Sequence, residues 1–123
     1  MEKVILVVDD TYHNRFLISE FLKQANYKVI QAENGKVAID YLTANKVDLI
    51  LLDIEMPVMN GFETLRFIRD KMPLPTSKLP ICAITAHNPE LFEGEFASNK
   101  FTDLLTKPFT HERIMNLVKK FVG

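Results

Sequence analysis

Asp9, Asp10, Asp53, Thr85 and Lys107 are the side chains of this 123-residue chain that phosphate or metal chemistry would use, and each follows a short apolar run. VILVV leads into Asp9-Asp10, LILL into Asp53, ICAI into Thr85 and DLLT into Lys107. Taken as neighbouring parallel strands, these runs bring all five side chains to one sheet edge. Open α/β sheets bind ligands at that edge, because loops and helix N-termini converge outside the carboxyl ends of the strands. Three carboxylates gathered there repel one another, since unit charges about 4 Å apart interact by ~4 kcal/mol at an effective dielectric of about 20. Such a cluster needs a cation. Mg²⁺ suits it, because it binds through one or two carboxylates, waters and phosphate oxygens, and the lack of a His or Cys cluster argues against zinc. The expected chemistry is acceptance of a phosphoryl group.

The elements that must position these residues can be read from hydrophobic periodicity. Val4 to Val8, Leu49 to Leu52 and Ile81 to Ile84 are continuous apolar runs of strand length, the pattern of central strands covered on both faces. Tyr27 to Ala32 and Asp103 to Thr106 mix polar and apolar residues and suit sheet edges. Between the strands, apolar residues recur at helical spacing: Phe16, Leu17, Phe21, Leu22 and Ala25; Val37, Ala38, Tyr41 and Leu42; Leu65, Ile68 and Met72; Ile114, Leu117, Val118 and Phe121. A fourth helix is expected over Pro89 to Asn99, opened by Asn88-Pro89 and weakened by Gly94. Thr110 offers a hydroxyl cap to the last helix, with Arg113 where a full capping box has an acid. The three prolines of MPLPTSKLP predict a loop. The fold class is therefore α/β, a doubly wound five-stranded parallel sheet with right-handed crossovers.

Length points to a single domain over residues 1–123. Hydrophobic residues make up 47% and charged residues 25%, and no apolar run approaches the roughly 20 residues of a membrane span. Met1-Glu2-Lys3 leads straight into a strand-like run without the pattern of a signal peptide, so a cytoplasmic location is expected. A net charge of −1 supplies no basic field for nucleic acid. The single Cys82, between Ile81 and Ala83, reads as a buried core thiol.

VVDD, LLDIEMPVMNG, ITA and LLTKP, in this order and at these intervals, resemble the receiver domain of two-component response regulators of the chemotaxis-regulator kind. The resemblance spans essentially the whole chain. It implies a flavodoxin-like (βα)5 fold with strand order 2-1-3-4-5, and the edge strands read from composition agree with that order. It further implies that Asp53 accepts a phosphoryl group from a phosphohistidine on a histidine kinase or a histidine phosphotransfer protein. Asp10 would bind Mg²⁺ directly, Asp9 through water, and Asp53 and the Glu55 carbonyl would complete its protein ligands. Lys107 would contact one phosphoryl oxygen and Thr85 another, with Ala86 leaving room for the incoming group. A cis Lys107-Pro108 bond is implied too. In this reading the protein catalyses its own aspartyl phosphorylation and is not a turnover enzyme. VDDTYHNRFLISEFLKQANY, with Asn14-Arg15 after the acidic pair, resembles receivers of hybrid sensor kinases and phosphorelays, with the first helix as the docking face. The face formed by the helix over Pro89 to Asn99, the last strand and the last helix would shift on phosphorylation, and is also the candidate face for a homodimer. No nucleic acid or membrane contact is expected. With Gly123 just past the last helix, a stand-alone receiver and a module of a longer protein both remain open.

Three departures from the family pattern stand out. Leu104 replaces the usual aromatic residue three positions before Lys107, with Phe101 as its nearest substitute; Lys100-Phe101 replaces a glycine-containing turn. Glu55 and His87, two residues past Asp53 and Thr85, occupy positions that in the family tune hydrolysis of the aspartyl phosphate. Two rival readings follow from the same residues. Asp53-Ile54-Glu55 matches the D-x-E arrangement of Asp-nucleophile phosphohydrolases, and Leu104 suits a degenerate receiver acting only as an interaction module.

Overall fold

The computed structural model describes residues 2–86 and 101–123. The strands are β1 (Val4–Val8), β2 (Lys28–Ala32), β3 (Leu49–Asp53), β4 (Ile81–Thr85) and β5 (Asp103–Thr106). They form one parallel sheet in the order β2-β1-β3-β4-β5, so the two mixed-composition strands are the edges. Among the described residues the helices are α1 (Tyr12–Gln24), α2 (Gly35–Ala44), α3 (Gly61–Lys71) and α4 (His111–Val122). The helix expected over Pro89 to Asn99, with its Asn88-Pro89 start and Gly94, lies outside the described residues.

Strand alternation divides the core into two apolar layers. Ile5, Val7, Leu49, Leu51, Cys82, Ile84 and Leu105 pack against Ile18 and Leu22 of α1 and Ile114, Leu117 and Val118 of α4. Leu6, Val8, Ile50, Leu52 and Ile81 pack on the other face against Ala38 and Leu42 of α2 and Leu65 and Ile68 of α3. Each such side chain contributes about 1.5–3 kcal/mol when fully buried. The continuous apolar runs thus reflect helices on both sides, and Cys82 is buried as expected. Burial pushes its thiol up to about 12, which keeps it protonated and inert.

Local chemistry sets where the helices start. Asn34 caps α2 by accepting from Val37 N, and Thr110 caps α4 by accepting from Arg113 N. Asn60 and Glu63 close a reciprocal capping box that starts α3 at Gly61. The phase of α1 departs from the sequence reading: Ile18, Ser19 and Leu22 are its buried residues, while Phe16 is 45% exposed and Ala25 is an exposed cap. Its buried stripe is narrow, and the exposed aromatics stand on the flank. The proline-rich segment contains a single 3-10 turn, Thr76–Lys78, after a cis Leu74-Pro75 bond. β3 and β4 each run one residue further than the apolar pattern, taking in Asp53 and Thr85, because both residues pair in register with the next strand.

Gly61 joins α3 to the end of β3. Its N–H donates to Ile54 O at 2.8 Å, and a Cβ added here would fall 2.6 Å from Ile54 Cα and 2.7 Å from Asp53 O. Those contacts are backbone, which has no rotamer to yield. Gly61→Ala is expected to cost about 1–3 kcal/mol through this overlap, measured by thermal or urea denaturation against the parent chain.

Candidate functional site

The alternation that builds the two core layers also sorts the polar residues at the carboxyl ends of the strands. Ile5 and Val7 face the α1/α4 layer, and continuing that parity puts Asp9 on the same side. Asp53 follows Leu49 and Leu51, and Lys107 follows Leu105, with the same parity. Thr85 follows Ile81 and Ala83, which belong to the opposite face. Two carboxylates and a lysine therefore converge, and the threonine points elsewhere.

The distances bear out this sorting. Lys107 Nζ lies 3.5 Å from Asp53 Oδ1 and 3.7 Å from Asp9 Oδ2. Asp9 and Asp53 are 2% and 3% exposed, whereas Asp10 is exposed. One oxygen from each of Asp9, Asp10 and Asp53 lies within 4.8 Å of the others. Burial, and next the charge on Asp9, push Asp53 up to about 7 against the pull of Lys107 and of the Glu55 N–H. Among the described residues one ammonium is set against three carboxylates and does not balance them. A site of hard oxygen donors with surplus negative charge fits a divalent cation such as Mg²⁺.

Neighbouring groups fix these side chains. Asp9 Oδ1 accepts from Thr11 N at 2.8 Å, and Arg15 donates to Asp9 O at 2.7 Å and to Gln31 Oε1 at 3.3 Å. Arg15 thus ties the acidic loop to α1 and the edge strand. On the opposite flank Arg113 donates to Pro108 O at 3.0 Å, Thr106 O at 3.3 Å and Thr106 Oγ1 at 3.4 Å. These partners bracket Lys107, whose N–H donates to Thr85 O at 2.7 Å and whose bond to Pro108 is cis. The sequence reading gave neither arginine a role in the site. Arg15 had a visible signal, six residues past Asp9 and just inside a helix. Arg113 had none, because its reach back across the loop has no characteristic spacing.

Thr85 and Glu55 form a separate pair. Thr85 Oγ1 donates to Glu55 Oε1 at 2.8 Å, and Glu55 N donates to Asp53 Oδ1 at 3.4 Å. The Glu55 side chain is exposed beside the acidic cluster and turned onto the threonine. His87 lies outside the described residues. Leu104 packs with Phe101 against Ile54, Phe62 and Ala83. Phe101 meets Phe62 edge to face, with centroids 5.9 Å apart, so it supplies an aromatic ring to this patch.

Comparison with known proteins agrees with this geometry. The family model for the response regulator receiver domain matches residues 5–119. The chain is 37% identical over 119 residues to the autoinducer 1 sensor kinase/phosphatase LuxN of Vibrio harveyi, covering 97% of this chain but only 13% of LuxN. It is 32% identical over 122 residues to sporulation initiation phosphotransferase F of Bacillus subtilis, covering 99% of this chain and 95% of that protein. The response regulator TrrA of Thermotoga maritima, solved in complex with Mg²⁺-BeF, superposes with a TM-score of 0.84 at 32% identity, over 98% of this chain and 99% of TrrA. The sheet order, the helices on both faces and these similarities place the chain in the response regulator receiver domain family, the phosphoryl-accepting signalling domains of two-component and phosphorelay systems.

Proposed function

We propose that this chain accepts a phosphoryl group on Asp53 from a phosphohistidine carried by a histidine kinase or a histidine phosphotransfer protein. The observation that carries the reading is a buried Asp53 carboxylate held 3.5 Å from Lys107 beside two further acids. An Asp53 oxygen attacks phosphorus, the P–N bond to the donor imidazole breaks, and the electron pair stays on the imidazole nitrogen. Such a transfer asks little covalent help of the protein, so positioning and charge neutralisation do most of the work. Lys107 supplies positive charge to the phosphoryl oxygens, and Thr85, on the strand beside Asp53, supplies a hydroxyl donor. Asp9, Asp10, Asp53 and the Glu55 carbonyl would hold Mg²⁺, which when bound contributes further positive charge toward the phosphoryl oxygens.

Residues 1–123 act in this reading as one receiver domain, phosphorylated once per signalling event and not turning over a substrate. The exposed side of α1 near the acidic loop, with Tyr12 and Phe16, suits the phosphohistidine-bearing partner. The face that includes β5 and α4 suits the partner of the phosphorylated form or a second copy. Among the described residues no helix is long and apolar enough to cross a membrane. The cytoplasm, where such kinases present their phosphohistidine, is the proposed location.

Incubation with Mg²⁺ and acetyl phosphate, followed by intact-mass spectrometry, is expected to add one phosphoryl group to the wild type and none to Asp53→Asn. Lys107→Ala should label about 10²- to 10³-fold more slowly, the loss typical of removing one preorganised charge-stabilising donor. Retention of the phosphoryl mass by Asp53→Asn would remove Asp53 from the acceptor role.

The metal-free state gives an independent check through pH. Because Asp53 is raised in the folded state to about 7, the folded protein binds more protons than the unfolded chain between the ordinary carboxylate range and neutrality. Stability in chelator should therefore fall as pH rises from about 4 toward about 7 and then level off. Asp53→Asn should flatten that dependence and be more stable than wild type at pH 8 by roughly 1–3 kcal/mol. Excess Mg²⁺ should recover much of the difference in the wild type. Denaturation midpoints across this pH range check all three outcomes.

A further inference from the structure

We propose that Glu55 is a positioning residue that holds the Thr85 hydroxyl in the unphosphorylated receiver and competes with the phosphoryl group for its single proton. The inference rests on the reading of Asp53 as acceptor and Thr85 as a phosphoryl contact. Three observations carry it. Thr85 is fully buried at the end of β4, and its hydroxyl donates at 2.8 Å to Glu55 Oε1. The parity of β4 turns that side chain to the face opposite Asp9, Asp53 and Lys107. Glu55 follows Asp53 by two residues, and its own N–H donates to Asp53 Oδ1, so any change at the acceptor is felt by the residue that holds the threonine.

A hydroxyl has one hydrogen to donate. While Glu55 accepts it, an oxygen on a phosphorylated Asp53 cannot, and the two partnerships exclude each other. Both acceptors are anionic, so both bonds are of the stronger, charge-assisted kind, and exchanging one for the other leaves a small net difference. That balance is what a two-state element needs, since an equilibrium responds only to a difference in affinity between its states. Thr85 O also accepts from Lys107 N at 2.7 Å, so movement of Thr85 reaches the β5 to α4 loop through the main chain. In this chain, where Leu104 stands in place of an aromatic side chain, the Glu55–Thr85 bond is a holding contact of the resting state.

A double-mutant cycle tests the proposal, reading the Mg²⁺-dependent affinity for beryllofluoride as the phosphoryl mimic. Glu55→Ala is expected to tighten binding roughly 3- to 10-fold, the worth of one net hydrogen bond. In a Thr85→Val background, which has no hydroxyl to hold, the same substitution should change affinity less than about 2-fold. An equal gain in both backgrounds would assign the effect to the negative charge of Glu55 and overturn the proposal. The Thr85 methyl resonance of the mimic-free protein provides a readout that needs no Val variant. It should move toward its beryllofluoride-bound position in Glu55→Ala and stay near wild type in Glu55→Gln, which keeps an acceptor oxygen. A methyl resonance that stays at its wild-type position in Glu55→Ala overturns the proposal while leaving Asp53 as acceptor. Failure of wild type to bind the mimic at all overturns the acceptor reading and this inference with it.

Discussion

Negative charge buried at the carboxyl end of an apolar sheet is the constraint on which the arrangement of this molecule depends. Asp9 and Asp53 are almost wholly removed from water, and among the described residues Lys107 is the cation set directly against both. Taking a carboxylate out of water costs several kcal/mol unless partners compensate it. Here the compensation is partial, and Asp53 sits well above the ordinary carboxylate range. Among the described residues, the acids of this cluster outnumber the ammonium group set against them. Such a cluster of hard oxygen donors favours incoming cations.

The rest of the fold holds this imbalance in place. A rigid sheet with helices on both faces fixes three strand ends, and two arginines tie down the loops that follow them, Arg15 behind Asp9 and Arg113 around Lys107. Among the described residues, both direct donors to main-chain carbonyls, which orients the loops without cancelling the charge of the acids. Behind the site the close approach of Gly61 to the Asp53 carbonyl makes the start of α3 continuous with it. Beyond it, Ile54, Phe62 and Phe101 link that helix start to the approach to β5 by apolar contact.

Much of this is legible in the amino-acid order, for identifiable reasons. Strands buried on both faces must be apolar throughout, so β1, β3 and β4 announce themselves, and mixed composition marks β2 and β5 as edges. Residues placed just after such runs inherit a position at one edge, which is why Asp9, Asp10, Asp53, Thr85 and Lys107 group together on sequence alone, although the grouping does not show that Thr85 turns to Glu55. The phase of α1 is less legible, because its buried stripe includes Ser19 while Phe16 lies largely in water. A hydropathy pattern does not report such an exchange of polar and apolar positions. The Glu55–Thr85 bond is not legible either: two residues thirty apart in sequence meet only because β3 and β4 pair in one register. The turn within MPLPTSKLP likewise depends on contacts that proline spacing does not encode.

The two-sided packing of β1 has a consequence for how such a domain can be altered. Asp9 and Asp10 are chemically identical neighbours just past the end of β1, one buried and the other exposed. Inserting or deleting one residue in β1 would leave the acidic pair intact in composition yet displace both acids by one position, because a single-residue slip turns every side chain to the other face. Grafts and chimeras built at this strand must therefore preserve parity as well as sequence. The same counting applies to Asp53 and Lys107.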